Sequence, residues 1–330
     1  MKPSVPAALA ACLAVALPAH AQQARPAAAD AGYPNKSIRL VVPSAAGGGT
    51  DIIARWIAQG LTDAWGQTVV VDNRGGGGGT VGVTIVAKAQ PDGYTMLLGS
   101  VGHLTFAPAV RRNLPYDGEK DIAPITLAAN QPFLLAASPA LPAKSVAELI
   151  TLAKSRPGEI KYGSGGVGSA SHLGLALLEV QTGISMLHVS YKGSNPALTA
   201  VMGGEVQLVI AGLATVLPHM KAGRVKGLAV TGSRRAQVAP DVPTAGESGA
   251  KGYAFDVWYG LVYTGGTPRP IVQKANTELV KMLKSPAMNK QFLSQGVEPL
   301  TSTVSQFEQQ IRSGIANWRK VVKSAGIKVD

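Results

Sequence analysis

The segment Leu40-Val41-Val42-Pro43-Ser44-Ala45-Ala46-Gly47-Gly48-Gly49-Thr50-Asp51 reads as a buried strand entering a glycine-rich loop, and the loop opens a helix over Ile52 to Leu61. Glycine lets backbone N–H groups approach a ligand closely, and the first N–H groups of a helix have no partner inside it. Such a turn suits an anion, a carboxylate or a phosphate. A similar element recurs at Tyr162-Gly163-Ser164-Gly165-Gly166-Val167-Gly168-Ser169-Ala170-Ser171-His172-Leu173.

Strand-like and helix-like segments alternate around these two loops. Ile38 to Val42, Thr68 to Val71 and Tyr94 to Leu98 read as strands, with helices over Asp51 to Asp63 and Val81 to Ala89. Phe133 to Ala137, Ile160 to Tyr162, His188 to Tyr191, Leu208 to Ala211 and Gly227 to Thr231 continue the strands. Helices are expected over Ser145 to Ser155, about Ser171 to Thr182 and about Pro196 to Met202. The alternation predicts an α/β protein with a parallel or mixed sheet covered by helices. Ser145 with Glu148, and Thr303 with Gln306, have the capping-box spacing. Ile271, Ala275, Leu279, Met282 and Leu283 form one apolar helical stripe, and Phe307, Ile311, Ile315, Trp318 and Val322 form another. Both read as packing surfaces.

The first residues read as an export signal. Lys2 is a short positive region, Val5 to Leu17 an apolar stretch, and Ala19-His20-Ala21 a cleavage signal that leaves Gln22 as the new N-terminus. The apolar stretch is too short to span a membrane. Leu9-Ala10-Ala11-Cys12 resembles a lipobox, but Cys12 sits in the middle of the apolar region. Cys12 is also the only cysteine, so the processed protein has no disulfide, thiolate metal site or cysteine nucleophile, and its stability rests on core burial.

The 31 basic and 19 acidic residues give a formal charge of +12, and loss of Lys2 leaves 30 − 19 = +11. The basic residues are scattered, with Arg111-Arg112, Arg234-Arg235 and Arg319-Lys320 the longest runs, and aromatic residues make up only 5%. That is too few for a base-stacking platform, so nucleic acid is not an expected partner. The charge fits attraction of acidic solutes.

Gly163, Gly165 and Gly168 match the dinucleotide pattern G-x-G-x-x-G. The strand before them is very short, however, and residues 184–204 contain no Asp or Glu where the pattern needs an acidic partner. Ser164, Ser169 and Ser171 still offer hydroxyls to an anion beside free helix N–H groups. The alternative is a plain strand-to-helix turn capped by Ser169 or Ser171. The run Gly75 to Gly79, after Asp72-Asn73-Arg74, demands unusual backbone angles and reads first as a turn, second as a ligand contact. His103, His172, His188 and His219 are far apart with no His-x-x-x-His or His-x-Glu pairing, no Gly-x-Ser-x-Gly elbow occurs, and acidic residues are sparse. No metal, cofactor or catalytic centre is expected, and the chain does not read as an enzyme.

Tyr33-Pro34-Asn35-Lys36-Ser37-Ile38-Arg39-Leu40-Val41-Val42-Pro43, followed by Gly47-Gly48-Gly49-Thr50-Asp51, resembles the mature start of the tripartite tricarboxylate transporter substrate-binding proteins, the Bug family. The resemblance continues through Val70-Val71-Asp72-Asn73-Arg74, Pro91-Asp92-Gly93-Tyr94, Leu114-Pro115-Tyr116-Asp117, Tyr162-Gly163-Ser164 with His172-Leu173, Tyr191-Lys192-Gly193-Ser194 and Asp241-Val242-Pro243-Thr244. It spans Tyr33 to Asp330.

The resemblance implies a type II periplasmic-binding-protein fold, two α/β lobes that close on a ligand in the cleft between them. Residues 32–129 plus 255–330 would form the first lobe and 130–254 the second, after a signal peptide over 1–21. It also implies a carboxylate held by backbone amides and small hydroxyls. The positions carried over are Ser44, Ala45, Ala46, Thr50, Ser100, Gly102 and His103 from the first lobe, and Ser164, Gly165, Gly168, Ser169 and His172 from the second. Tyr191-Lys192-Gly193 is a further candidate, with Lys192 either attracting an anion or pairing at the surface. Where relatives often carry Asp-Asn after an apolar strand, this chain has Ala211-Gly212. A small neutral residue cannot compensate a buried ammonium, so the expected ligand is a dicarboxylate or aromatic carboxylate without an α-amino group. The implied role is that of a monomeric periplasmic receptor delivering its ligand to membrane permease subunits. The alternative is a ligand sensor that presents its closed form to a signalling partner.

Overall fold

The structure is a computed structural model that describes Met1 and residues 32–325, apart from Ala45, Gly48, Arg112, Gly168 and Lys192. Beyond Met1, the export signal expected over 1–21 lies outside the described residues. The chain opens with β1 (Ile38–Val42), α1 (Gly49–Trp65), β2 (Val69–Asn73), a 3-10 turn at Gly77–Gly79, α2 (Thr80–Ala87), β3 (Thr95–Ser100), a π-helical turn at Gly102–Phe106 and α3 (Ala107–Val110). Then come β4 (Ile122–Gln131), β5 (Phe133–Ala137), α4 (Val146–Ser155), β6 (Lys161–Ser164), α5 (Ala170–Thr182), β7 (Leu187–Ser190), α6 (Ser194–Met202), β8 (Leu208–Gly212), α7 (Leu213–Lys221) and β9 (Lys226–Val230). The chain closes with β10 (Val257–Thr264), α8 (Arg269–Leu283), α9 (Pro286–Ser294), β11 (Glu298–Pro299) and α10 (Val304–Ala325).

Two sheets result. The first has the order β11-β4-β10-β3-β1-β2 and the second β7-β6-β8-β5-β9. In the first sheet β1, β2 and β3 run parallel, and β10 is antiparallel to both β3 and β4. In the second, β6 is parallel to β7 and β8, and β5 is antiparallel to β8 and β9. The loops that follow the parallel strands of an open α/β sheet are where such folds bind ligands. Here they include the two glycine loops and the segments after β2, β3, β7 and β8.

The chain passes between the sheets twice. Only Pro132 separates β4 from β5, and the return runs from the end of β9 through Phe255 into β10. Thr231 ties the two passages together. Its amide donates to Phe133 O at 2.9 Å, its carbonyl accepts from the Phe255 amide at 2.7 Å, and its hydroxyl donates to Phe255 O at 3.0 Å.

Side-chain alternation along β1 sends Leu40 and Val42 into a core shared with Ile53, Ile57 and Leu61 of α1 and Leu279 of α8, while Val41 joins the core on the opposite face. That second core is continuous between the sheets, running from Leu97 to Leu135 and Ile210 under Phe307, Ile311, Ile315 and Trp318 of α10. Each of these fully buried apolar side chains contributes about 1.5–3 kcal/mol. Of the two expected stripes, Met282 and Val322 alone are only partly buried. At the start of α10 the Gln306 amide donates to Thr303 Oγ1 and the Thr303 amide to Gln306 Oε1, a reciprocal capping box. At α4 the Glu148 amide donates to Ser145 Oγ, but the Glu148 carboxylate reaches back to the amide of Lys144 instead of Ser145.

Two long strands escape the sequence pattern. β4, Ile-Ala-Pro-Ile-Thr-Leu-Ala-Ala-Asn-Gln, carries Pro124 and shows no alternation because it is buried along nearly its whole length. Pro124 is tolerated beside the register shift opposite Leu261 and Val262, where the ladder is interrupted. β10 is buried at every position and reads as neither amphipathic helix nor half-exposed strand.

Candidate functional site

A cavity of ≈ 390 Å³ opens between the two sheets. Thr50 at the start of α1, Gly78 after β2, and Ser100, Gly102 and His103 after β3 line it from the first sheet. Val167, Ser169, Ala170 and Leu173, at the start of α5, line it from the second. Phe133, Phe255 and Val257, on the passages between the sheets, and Tyr259 on β10 complete it. Two larger cavities of ≈ 550 Å³ share lining residues with it, one against α10 through Val101 and Phe255, and one beside Tyr116 and Arg319 through Arg111. Neither is met by the N-terminus of a long helix that follows a parallel strand.

The α5 end of the cavity presents hydrogen-bond donors at a helix N-terminus. Ser169 is the N-cap, its hydroxyl accepting from the His172 amide at 3.3 Å. The amide of Ala170, which lines the cavity, has no acceptor among the described residues, whereas Ser171 is fully buried and does not line it. The loop before them is held from within: Ser171 Oγ accepts from the Gly165 amide at 2.8 Å, and Ser164 Oγ accepts from the Gly166 amide at 3.1 Å. A side chain on Gly165 would crowd Ser194 N at 3.1 Å, so glycine lets this loop pass close to the start of α6.

The first glycine loop behaves differently. Asp51 Oδ2 accepts from the Gly47 amide at 2.8 Å and from Arg55 Nε at 3.1 Å. Burial alone would raise the Asp51 pKa, but the Gly47 amide and the Arg55 guanidinium outweigh it and hold the carboxyl below its usual value. The protein's own carboxylate therefore takes up part of the anion-binding capacity at the start of α1. Thr50 stays in the cavity beside the Tyr259 hydroxyl, which donates to Gln131 Oε1 at 2.8 Å.

His103 supplies a neutral donor. The Ser100 amide donates to its Nδ1 at 3.2 Å, and Ser100 Oγ lies 3.0 Å from the same nitrogen. A backbone N–H can only donate, so Nδ1 is unprotonated and the ring proton resides on Nε2. Burial, reinforced by the nearby Arg111 charge, pushes the imidazole down to about 4. Gly79, with φ +90, makes room for the ring, since a Cβ there would fall on its Cδ2 and Nε2 atoms. Arg111 also lines the cavity, half-buried at the end of α3. Its Nη1 donates to Gly77 O at 2.6 Å and to Thr80 Oγ1 at 2.8 Å.

Of the residues expected from the sequence, Thr50, Ser100, Gly102, His103 and Ser169 line the cavity. Ala45 and Gly168 lie outside the described residues, as does Lys192. Ser164 is fully buried and turned onto His188, with Oγ 2.6 Å from Nε2. His172 is buried with its ring stacked on His188, centroids 4.2 Å apart. Ser44 and Ala46 do not line the cavity, nor does Gly165. Ala211 is in the core of the second sheet, and Gly212 begins α7 near the Gln131 side chain. Arg111, Gly78 and the aromatic wall of Phe133, Phe255 and Tyr259 were not expected. Arg111 was visible only as half of a basic pair, and Gly78 only as part of a run read first as a turn and second as a ligand contact. Among the described residues no group of His, Cys, Asp or Glu could hold a metal, and no helix is long and apolar enough to cross a membrane.

A family model described as tripartite tricarboxylate transporter family receptor matches residues 53–327. The protein BugT of Bordetella pertussis is 35% identical over 307 residues, covering 93% of this chain and 94% of its own. Among solved structures, R. palustris Rpa4515 with adipate is 37% identical and covers 90% of this chain and 99% of its own, with a TM-score of 0.76. MatC (Rpa3494) from Rhodopseudomonas palustris with bound malate is 32% identical, covering 88% of this chain and 100% of its own at a TM-score of 0.72. The two-lobed type II periplasmic-binding fold expected from the sequence is therefore the fold of this chain.

Proposed function

We propose that this chain, which belongs to the tripartite tricarboxylate transporter receptor family, captures a small organic carboxylate without an α-amino group between its lobes and hands it to a membrane permease. As a member of that family it is a periplasmic solute-binding receptor. The observation that carries the ligand class is the chemistry of the cavity between the sheets. It offers the Ala170 amide, which has no acceptor among the described residues, the Ser169 and Thr50 hydroxyls and the His103 N–H, all donors suited to a carboxylate. No Asp or Glu is among its described lining residues. An ammonium group would thus be buried without a partner, at a cost of several kcal/mol. The aromatic and aliphatic walls suit a methylene chain or ring. The solved relatives with adipate and with bound malate hold dicarboxylates, which agrees with this class.

Ligand contacts from both lobes would favour the closed arrangement over the open one, and the paired passages tied by Thr231 would act as the hinge. The test is a thermal-shift series with adipate, succinate, malate, benzoate, aspartate and glutamate on the full processed chain. A true ligand at a hundred times its Kd adds about 2.7 kcal/mol to stability. Stabilisation by one or more of the first four, and none by aspartate or glutamate, is the expected result. Tight binding of either amino acid would overturn the ligand class. Delivery is tested by reconstituted uptake with the permease subunits, where addition of the loaded receptor should be required for transport.

A further inference from the structure

We propose that Arg111 is the specificity-determining residue of the cleft, its guanidinium taking a second anionic group of the ligand and selecting a dianion over the matching monoanion. This role presupposes the carboxylate ligand proposed above and narrows its class.

Arg111 is the one charged side chain among the described residues that line the cavity. Among those residues no carboxylate lies within ion-pair distance of it. A half-buried guanidinium without a counter-charge is costly, and an anionic ligand group relieves that cost. The group is also held in place. Nη1 is anchored on Gly77 O and Thr80 Oγ1, while Nη2 and Nε make no hydrogen bond to any described residue. Their N–H groups form the fork that matches a carboxylate.

The glycine run gives a second, independent line of argument. Gly76, Gly77, Gly78 and Gly79 all have positive φ, an expensive stretch of backbone to order. A Cβ on Gly78 would stand 2.5 Å from Arg111 Nη2, and one on Gly79 would fall on the His103 ring. The run thus seats the two side chains that bring a guanidinium and a neutral N–H donor to the same wall.

Geometry then separates two anion points. The Ala170 amide and the Ser169 hydroxyl belong to the second sheet's side, whereas Arg111 and His103 belong to the first. Phe106, Phe133, Leu173 and Phe255 supply apolar surface to the same cavity. A molecule with an apolar body and two carboxylates satisfies both points at once and links the lobes. A monoanion of equal length satisfies one.

The experiment is calorimetric titration of the full chain with adipate and with hexanoate, which share six carbons and differ by one carboxylate. The native protein should bind adipate at least tenfold more tightly. Arg111→Gln should weaken adipate about tenfold to hundredfold, the range of one charge-assisted hydrogen-bonding pair, and leave hexanoate within about twofold. Gly78→Ala, which displaces the guanidinium without removing its charge, should give the same selective loss, and circular dichroism reports whether either variant is folded. Equal loss for both ligands in folded Arg111→Gln, or no loss for adipate, overturns the role of Arg111. If a monocarboxylate such as benzoate binds as tightly as any diacid, Arg111 is not the selector although the carboxylate class stands. If no carboxylate binds the native chain, both fall together.

Discussion

Glu298 on β11 is wholly buried and accepts at one oxygen from Arg234 Nη2 at 2.5 Å, and at the other from the Gln237 amide at 2.7 Å. Arg234 and Gln237 lie on the return passage after β9, so this carboxylate fastens the second sheet's exit segment to the edge of the first sheet. Both oxygens receive donors, which is what makes a buried carboxylate tolerable. Glu298→Gln leaves an amide NH₂ facing one of those donors. We expect it to lower stability by about 2 kcal/mol, read as a lower urea midpoint at unchanged slope. An unchanged midpoint would mean that the tie contributes nothing.

The stack of Tyr162, His188 and His172 predicts an acid-sensitive fold. Ring centroids are 5.0 Å apart for Tyr162 and His188 and 4.2 Å for the two histidines. Burial, with a smaller contribution from His188, pushes His172 down to about 4, and burial lowers His188 as well. In the unfolded chain these rings titrate near ~6.5. The unfolded state therefore binds more protons between those values. Stability is full above pH ~6.5 and declines as pH falls toward 4, by roughly 1–2 kcal/mol at pH 5. Glu179 works in the opposite sense: burial pushes it up against the Met186 amide and the Tyr162 hydroxyl, so the folded form keeps its proton longer. His188→Gln, which retains a partner for Ser164, should flatten the decline between pH 7 and pH 5 in thermal melts. An unchanged pH profile would leave the acid sensitivity to His172 or His103 rather than His188.

Gly78 and Gly79 should both lose stability on replacement by alanine, but to different extents. Gly78 has φ +62, near the left-handed helical region, and its new methyl would meet only the far end of the flexible Arg111 side chain. A stability loss of about 1 kcal/mol is expected. Gly79 has φ +90, and its methyl would meet the ring of His103, which is packed in place. About 2–3 kcal/mol is expected there. Urea unfolding of the two variants side by side checks the order, and equal losses would refute it.

Ser169 serves both the fold and the cavity. Ser169→Ala removes the cap of α5, at about 1 kcal/mol, together with a cavity hydroxyl. Ser169→Asp keeps the cap but places a carboxylate where the ligand's is expected. Near-native stability with abolished carboxylate binding is the anticipated outcome for aspartate. Retained binding would move the anion away from α5.

Much of this was legible in the chain itself. The glycine loops at the ends of β1 and β6, the apolar stripes of α8 and α10 and the Thr303 box depend on neighbours within a few residues, and each appears where its local pattern puts it. The wall of the cavity was less legible. Ser164 and Ser169 look alike in sequence, yet one turns onto His188 and the other faces the cavity. Arg111 carries no local sign of its role, because Gly77 and Thr80, which hold it, are more than thirty residues away.

The sequence by itself determined the α/β alternation, the close backbone approach at the glycine loops and, through its motifs, the family. Those properties follow from local periodicity and from what glycine permits. Only the tertiary structure decided that β10 inserts antiparallel between β3 and β4, bringing Tyr259 to Gln131 across 128 residues of chain. It also decided that Asp51 occupies the first loop while the Ala170 amide of α5 has no acceptor among the described residues. Which donors remain for a ligand depends on which ones the rest of the fold has already taken, and that is settled by contacts between distant segments.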